Sequence, residues 1–142
     1  MIIYTDTSAL MKLILDEAGA ADMRQAASGA DGLVSAAIAY VEFRAAVAAA
    51  IRAQRIPAQL RDETTDAVER RWAAVSAVEI DDALLRSAGD AAERFALRGY
   101  DALHLAALTQ SGSPAEVILA CWDLDLRRAA SELGYTLVPE HL

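Results

Sequence analysis

An α/β fold with a parallel sheet is predicted by three features of this chain. Short β-rich runs alternate along the whole length with segments of helical periodicity, the pattern of strands joined by crossover helices. Val117-Ile118-Leu119-Ala120-Cys121-Trp122 is continuously apolar, as a strand covered on both faces must be. Two such runs end directly in an acid, Asp6 and Asp123, where open α/β sheets place their ligands. Right-handed crossovers then put helices on both faces of the sheet. At 142 residues the chain fits a single domain, 1–142, able to bury roughly two-thirds of its unfolded surface.

The first strand is Ile2-Ile3-Tyr4-Thr5, and a helix starts at Thr7 or Ser8 with Leu10, Leu13 and Ile14 on its buried face. Asp16-Glu17-Ala18-Gly19 breaks it, and a short helix from Ala20 to Ala27 leads into the turn Ser28 to Gly32. Leu33-Val34-Ser35 is the second strand. Tyr40, Phe43, Val47 and Ile51 then form a helical stripe on an alanine-rich helix that carries Glu42 off the stripe. Pro57 separates this helix from a more polar one, Ala58 to about Ala74, whose apolar stripe is thin, and the two helices together suggest a projecting arm. Val75 to Ile80 is β-rich, Asp81-Asp82 caps a helix carrying Leu84, Ala88, Ala91 and Phe95, and Gly99 is expected to end it. Asp101 opens the next helix, Ala102 to about Gln110. The apolar run ending at Trp122 follows, then a helix with Leu126, Ala129, Ala130 and Leu133 up to Gly134, and a last strand, Thr136-Leu137-Val138.

Composition narrows the function. The 55% hydrophobic content excludes a disordered or linker architecture. One cysteine, Cys121, forms no internal disulfide and suits a reducing, cytoplasmic setting. The most apolar stretch, Ala36 to Ile51, contains Glu42 and Arg44, and the N-terminal run lacks the flanking charge and cleavage site of an export signal, so a soluble protein away from membranes is expected. A net charge of −8, from 13 basic and 21 acidic residues, excludes a protein that coats nucleic acid with a broad basic surface. It leaves room for a nuclease, because divalent ions reverse the field of an acidic pocket.

Asp6 and Asp123 belong at the carboxyl edge of the sheet, and Glu42 and Asp101, near helix starts, can face the same edge. Carboxylates brought together in a cleft need protons or cations to offset their repulsion. Oxygen-only ligands favour Mg²⁺ or Mn²⁺ over zinc. Hard cations held by acids suit metal-assisted hydrolysis of a phosphodiester.

The segments Ile3-Tyr4-Thr5-Asp6-Thr7-Ser8-Ala9-Leu10, Val41-Glu42, Tyr100-Asp101-Ala102-Leu103-His104-Leu105-Ala106-Ala107 and Cys121-Trp122-Asp123 resemble, in order, the four motifs of PIN-domain ribonucleases, and most of all the VapC toxins of bacterial toxin–antitoxin pairs. The resemblance runs end to end, and Asp-Ala-Leu-His-Leu-Ala is its most specific part. It implies a five-stranded parallel sheet and a Mg²⁺- or Mn²⁺-dependent endoribonuclease that acts on tRNA or rRNA. It further implies a homodimer and inhibition by a cognate VapB-type antitoxin. Asp6, Glu42, Asp101 and Asp123 match the family's acidic metal-binding positions, where a metal-activated water would attack phosphorus. Cys121 departs from the Thr or Ser that relatives often carry two residues before the last acid, and a thiol is a weaker hydrogen-bond partner.

Each residue also has a plainer reading. Asp6 and Asp101 at helix starts would ordinarily be caps worth about 1 kcal/mol, and the four motifs in sequence favour metal binding instead. Glu42 fits a solvated helix position. Asp123 has a rival in Asp125 but adjoins the strand. Ser8 and, less strongly, Thr7 are either caps or supports for Asp6 or a metal-bound water. His104, between two leucines, reads as a packed, hydrogen-bonded histidine, and Trp122 as packing before base stacking. Arg98, Arg127 and Arg128 either hold RNA phosphates or simply solvate. Two rival functions follow: a phosphotransferase using Asp6 as nucleophile, disfavoured because Ser8 stands where a second acid belongs, and a catalytically weak PIN-fold module that mainly engages a basic antitoxin segment.

Overall fold

The computed structural model describes residues 1–142. Five strands form one parallel sheet: β1 (Ile2–Thr5), β2 (Gly32–Ala36), β3 (Val75–Val78), β4 (Val117–Ala120) and β5 (Thr136–Val138), in the order β3-β2-β1-β4-β5. The order reverses between β1 and β4, so the switch point of the sheet lies at the carboxyl ends of those two strands. Seven helices connect them: α1 (Thr7–Lys12), α2 (Ala20–Gly29), α3 (Ala39–Arg52), α4 (Arg61–Trp72), α5 (Asp82–Phe95), α6 (Gly99–Ser111) and α7 (Leu124–Glu132).

Strand alternation divides the interior in two. Ile3 belongs to a cluster with Leu10, Met23, Phe43, Ile51 and Val68, supplied by α1 to α4. Tyr4, the next residue, belongs to a cluster with Leu84, Phe95, Leu105, Leu108, Leu119 and Leu126, supplied by α5 to α7 and β4. The sheet is thereby covered on both faces, as the unbroken apolar β4 requires. No helix is long and apolar enough to cross a membrane.

Three sequence expectations are corrected. α4 does not project as an arm: its Val68 and the preceding Ile56 are buried in the first cluster, and a single 3₁₀ turn, Ala58–Leu60, bends the chain back towards the body. Gly99 does not end α5. That helix stops at Phe95, where Ala96 takes the left-handed conformation (φ 52°) usual for a helix-ending residue. Gly99 instead opens α6, which places Asp101 inside the first turn and leaves the cap position to Arg98. β4 ends at Ala120: the Cys121 N–H makes the last bond to β5, at 3.1 Å from Val138 O, and the Trp122 N–H turns out of the ladder to Ser8 Oγ at 2.8 Å.

Candidate active site

Asp6 leaves the end of β1 and caps α1, accepting the Ala9 N–H at 3.0 Å. Ser8 is not the cap. Its hydroxyl donates back to Asp6, 2.7 Å from Oδ1 and 2.9 Å from Oδ2, while accepting the Trp122 amide. The Cys121 thiol lies 3.1 Å from Asp6 Oδ2 and accepts the Asp123 N–H at 3.2 Å, so one sulfur links the two strand ends. Asp6 is only 6% exposed. Burial pushes its carboxyl above the usual carboxylate range, and the bonds from Ser8, Ala9 and Cys121 oppose that push. Burial and the neighbouring Asp6 also raise the Cys121 thiol, which therefore stays protonated and able to donate.

Glu42 lies in the first turn of α3. Its Oε1 accepts from Thr7 Oγ1 at 3.1 Å and stands 2.8 Å from His104 Nε2. His104 is buried on α6, one turn after Asp101, with its Nδ1 2.9 Å from the hydroxyl of buried Tyr4. Sequence reasoning left Tyr4 out of the site entirely and read His104 as a packed, hydrogen-bonded histidine without naming its partners. The available signals were spacing: Tyr4 precedes Asp6 by two, the period of a strand, and His104 follows Asp101 by three, the period of a helix face.

Asp101 and Asp123 meet through one cation. Arg98 Nε donates to Asp101 Oδ2 at 2.8 Å and its terminal nitrogen to Asp123 Oδ2 at 3.1 Å, while the arginine side chain remains 74% exposed. These two acids raise the guanidinium further above its already high range. Asp123 Oδ1 meanwhile caps α7 through the amides of Asp125 and Leu126. Asp101 has no capping duty, because α6 starts two residues earlier.

The other arginines behave differently. Arg127 is buried, and its guanidinium donates to the carbonyls of Cys121 (2.9 Å), Pro139 (2.8 Å) and Glu140 (3.2 Å), so it is a staple for the chain end and is turned away from any phosphate. Arg128 bonds Glu132 and the Phe95 carbonyl, tying α7 to the end of α5. Trp122 packs over Gly19, whose left-handed backbone (φ 84°) has no room for a side chain against the indole, with Lys12 5.3 Å from the ring. A groove of about 600 Å³ bordered by Leu85, Ala92 and exposed Tyr100 also touches Glu42, Arg98 and Asp101.

Four acids from four separate elements therefore lie along the carboxyl edge of the sheet: Cys121 and Arg98 link Asp6, Asp123 and Asp101, while Glu42 is held separately by Thr7 and His104. As placed, no three His, Cys, Asp or Glu side chains close around a common point.

Comparison with known proteins gives a consistent result. The PIN domain family model matches residues 3–131. The chain is 37% identical over 142 residues to Ribonuclease VapC45 of Mycobacterium tuberculosis (strain CDC 1551 / Oshkosh), and equally to Ribonuclease VapC49 of strain H37Rv, covering 99% of this chain and 97% of each relative. The crystal structure of PAE2754 from Pyrobaculum aerophilum shares the fold, with a TM-score of 0.68 over 97% of this chain and 92% of that one, at 18% identity.

Proposed function

The chain belongs to the PIN-domain family and is of VapC type, and from that premise we propose that it is a metal-dependent endoribonuclease, the toxin of a toxin–antitoxin pair. Asp6, Glu42, Asp101 and Asp123 are its proposed catalytic and metal-holding acids, Mg²⁺ or Mn²⁺ its cofactor, and tRNA or rRNA its substrate class. A VapB-type antitoxin and a second copy of the chain are its proposed partners. The observation that carries the reading is Arg98 drawn between Asp101 and Asp123, which marks the carboxylate set as a place that attracts positive charge.

The donor chemistry fits a hard divalent ion: four carboxylates, with a single arginine to offset them. Asp6, Glu42, Asp101 and Asp123 would hold the ion, with Arg98 as the competing cation between the last two. A bound Mg²⁺ or Mn²⁺ supplies charge neutralisation at the phosphate and a lowered water pKa. The chain's own contribution is orientation. Ser8 and Cys121 fix Asp6, Thr7 and His104 fix Glu42, and the released Arg98 is placed to pair with a backbone phosphate.

Cleavage of a mixed tRNA and rRNA pool in Mg²⁺ or Mn²⁺, with EDTA and Asp101→Asn in parallel, tests this reading. Discrete fragments that require the metal and vanish in the variant are expected. Fragments of equal yield from Asp101→Asn would overturn the site, and metal binding with no cleavage of any RNA would favour the attenuated binding module.

A further inference from the structure

We propose that Tyr4 and His104 are positioning residues that hold one oxygen of Glu42 in place and leave the other free for the reaction, through a buried relay that starts at the Ala36 amide. The inference rests on the nuclease reading for what Glu42 does, but the relay itself is set by hydrogen-bond accounting within the chain.

The Ala36 N–H donates to the Tyr4 hydroxyl oxygen at 3.1 Å. The hydroxyl then has one proton to give, and His104 Nδ1 lies 2.9 Å away. Tyr4 is fully buried and His104 is 3% exposed, so neither has water to fall back on. A proton on Nδ1 would leave the Tyr4 hydroxyl without an acceptor, a loss that buried polar groups avoid. The Tyr4 O–H therefore donates to Nδ1, the ring proton resides on Nε2, and Nε2–H donates to Glu42 Oε1 at 2.8 Å. Burial also holds the Tyr4 phenol well above its usual range, which keeps this donor protonated.

Thr7 gives Oε1 its second bond. Both anchors fall on the same oxygen, and no protein donor reaches Oε2. Glu42 has three rotatable side-chain bonds where Asp6 has two, so it loses more freedom on being fixed, and it is the acid supplied with the longest chain of supports. The edge-on packing of the two rings, with centroids 6.0 Å apart and planes at 82°, locks the imidazole plane that aims Nε2. A histidine serving packing alone needs neither a tyrosine hydroxyl anchored on the backbone nor a carboxylate partner.

Three measurements on the full chain test this. Long-range ¹⁵N–¹H spectra in EDTA read the His104 tautomer, Mn²⁺ titration followed by EPR reads affinity, and RNA cleavage separates kcat from KM. Wild type should show the Nε2–H form. Tyr4→Phe should show a mixture of tautomers, with Mn²⁺ affinity and kcat each lowered about tenfold, the usual size for loss of a support behind a metal ligand. His104→Gln, whose amide nitrogen can reach Glu42, should retain more affinity and kcat than His104→Leu, although both fill the space. Tyr135→Phe, which deletes another tyrosine hydroxyl bonded to the Gly112 carbonyl, should leave all three readouts unchanged. A Tyr4→Phe protein with the wild-type tautomer and affinity, or His104→Leu equal to His104→Gln, would overturn the proposal. A tautomer that responds to Tyr4→Phe in a chain that cuts no RNA would uphold the relay and remove the nuclease reading; cleavage indifferent to Tyr4 would do the reverse.

Discussion

The four acids fall into two pairs that are held by opposite means. Asp6 and Glu42 are fixed by uncharged donors rooted in the fold: the Ser8 and Thr7 hydroxyls, the Cys121 thiol, the Ala9 amide and the His104 ring. Those donors set position without cancelling charge. Asp101 and Asp123 share one exposed guanidinium, which cancels charge but is itself held by nothing deeper than the two acids, although Asp123 also keeps two backbone amides on its other oxygen. The inner pair is thus held by the fold itself, and the outer pair shares a cation with which a divalent ion would compete at the proposed metal site. A metal replacing Arg98 would meet three carboxylates already held by protein donors and one, Asp101, that has no partner besides Arg98.

The largest expected effect breaks both pairs alike. Asp6→Asn and Asp123→Asn should each lower kcat/KM by about a thousandfold or more, because each keeps shape and removes a charge needed in the transition state. A hundredfold difference between them in cleavage assays would mean that one pair alone carries the chemistry. Next in size is Arg127→Met, the buried counterpart of Arg98. Its three carbonyl acceptors would be left unpaired, with an expected loss of about 2–4 kcal/mol in urea unfolding. Mn²⁺ affinity at a temperature where the variant is folded should stay at the wild-type value, since no acid is touched.

The contrast between the two arginines also shows what sequence could and could not reveal. The parallel sheet, the strand ends at Asp6 and Asp123, and the helix carrying Asp101 and His104 were legible because apolar runs and helical periods report burial directly. Arg98, Arg127 and Arg128 looked equivalent, each standing near an acid on the chain. Their separate fates depend on where Cys121, Pro139 and Glu140 place their carbonyls, a tertiary fact with no local signature. Tyr4 was hidden for the same reason: within an apolar strand, a tyrosine that packs and one that also directs a histidine have the same pattern. The boundary between α5 and α6 had no such signal: Gly99 is a plausible helix end, yet Ala96 takes the left-handed turn and Gly99 opens α6.

A smaller effect sharpens the exchange argument. Arg98→Gln removes the competing cation, so Mn²⁺ should bind about threefold more tightly in low salt, with the gain fading as salt screens the pair. RNA binding should weaken in the same variant if the freed guanidinium pairs with phosphate. Weaker Mn²⁺ binding would show instead that Arg98 pre-arranges the two acids for the metal.

The smallest expected effect concerns the inner pair and appears as stability. Burial raises the Asp6 carboxyl in the folded state above its unfolded value, so its protonated form favours folding and that contribution is lost as pH rises through the folded value. At neutral pH the ionised carboxylate therefore opposes folding. In EDTA at pH 7, Asp6→Asn should melt a few degrees above wild type, a gain of about 1 kcal/mol. The difference should shrink as pH falls through the folded value and level off only below about 4, the ordinary range of aspartate, where the carboxyl becomes neutral in both states. Adding Mn²⁺ should reverse the order, because ligand binding stabilises only the chain that keeps the site. Equal melting in EDTA would mean that Ser8, Ala9 and Cys121 fully offset the burial of the charge, and the inner pair would then be held without strain.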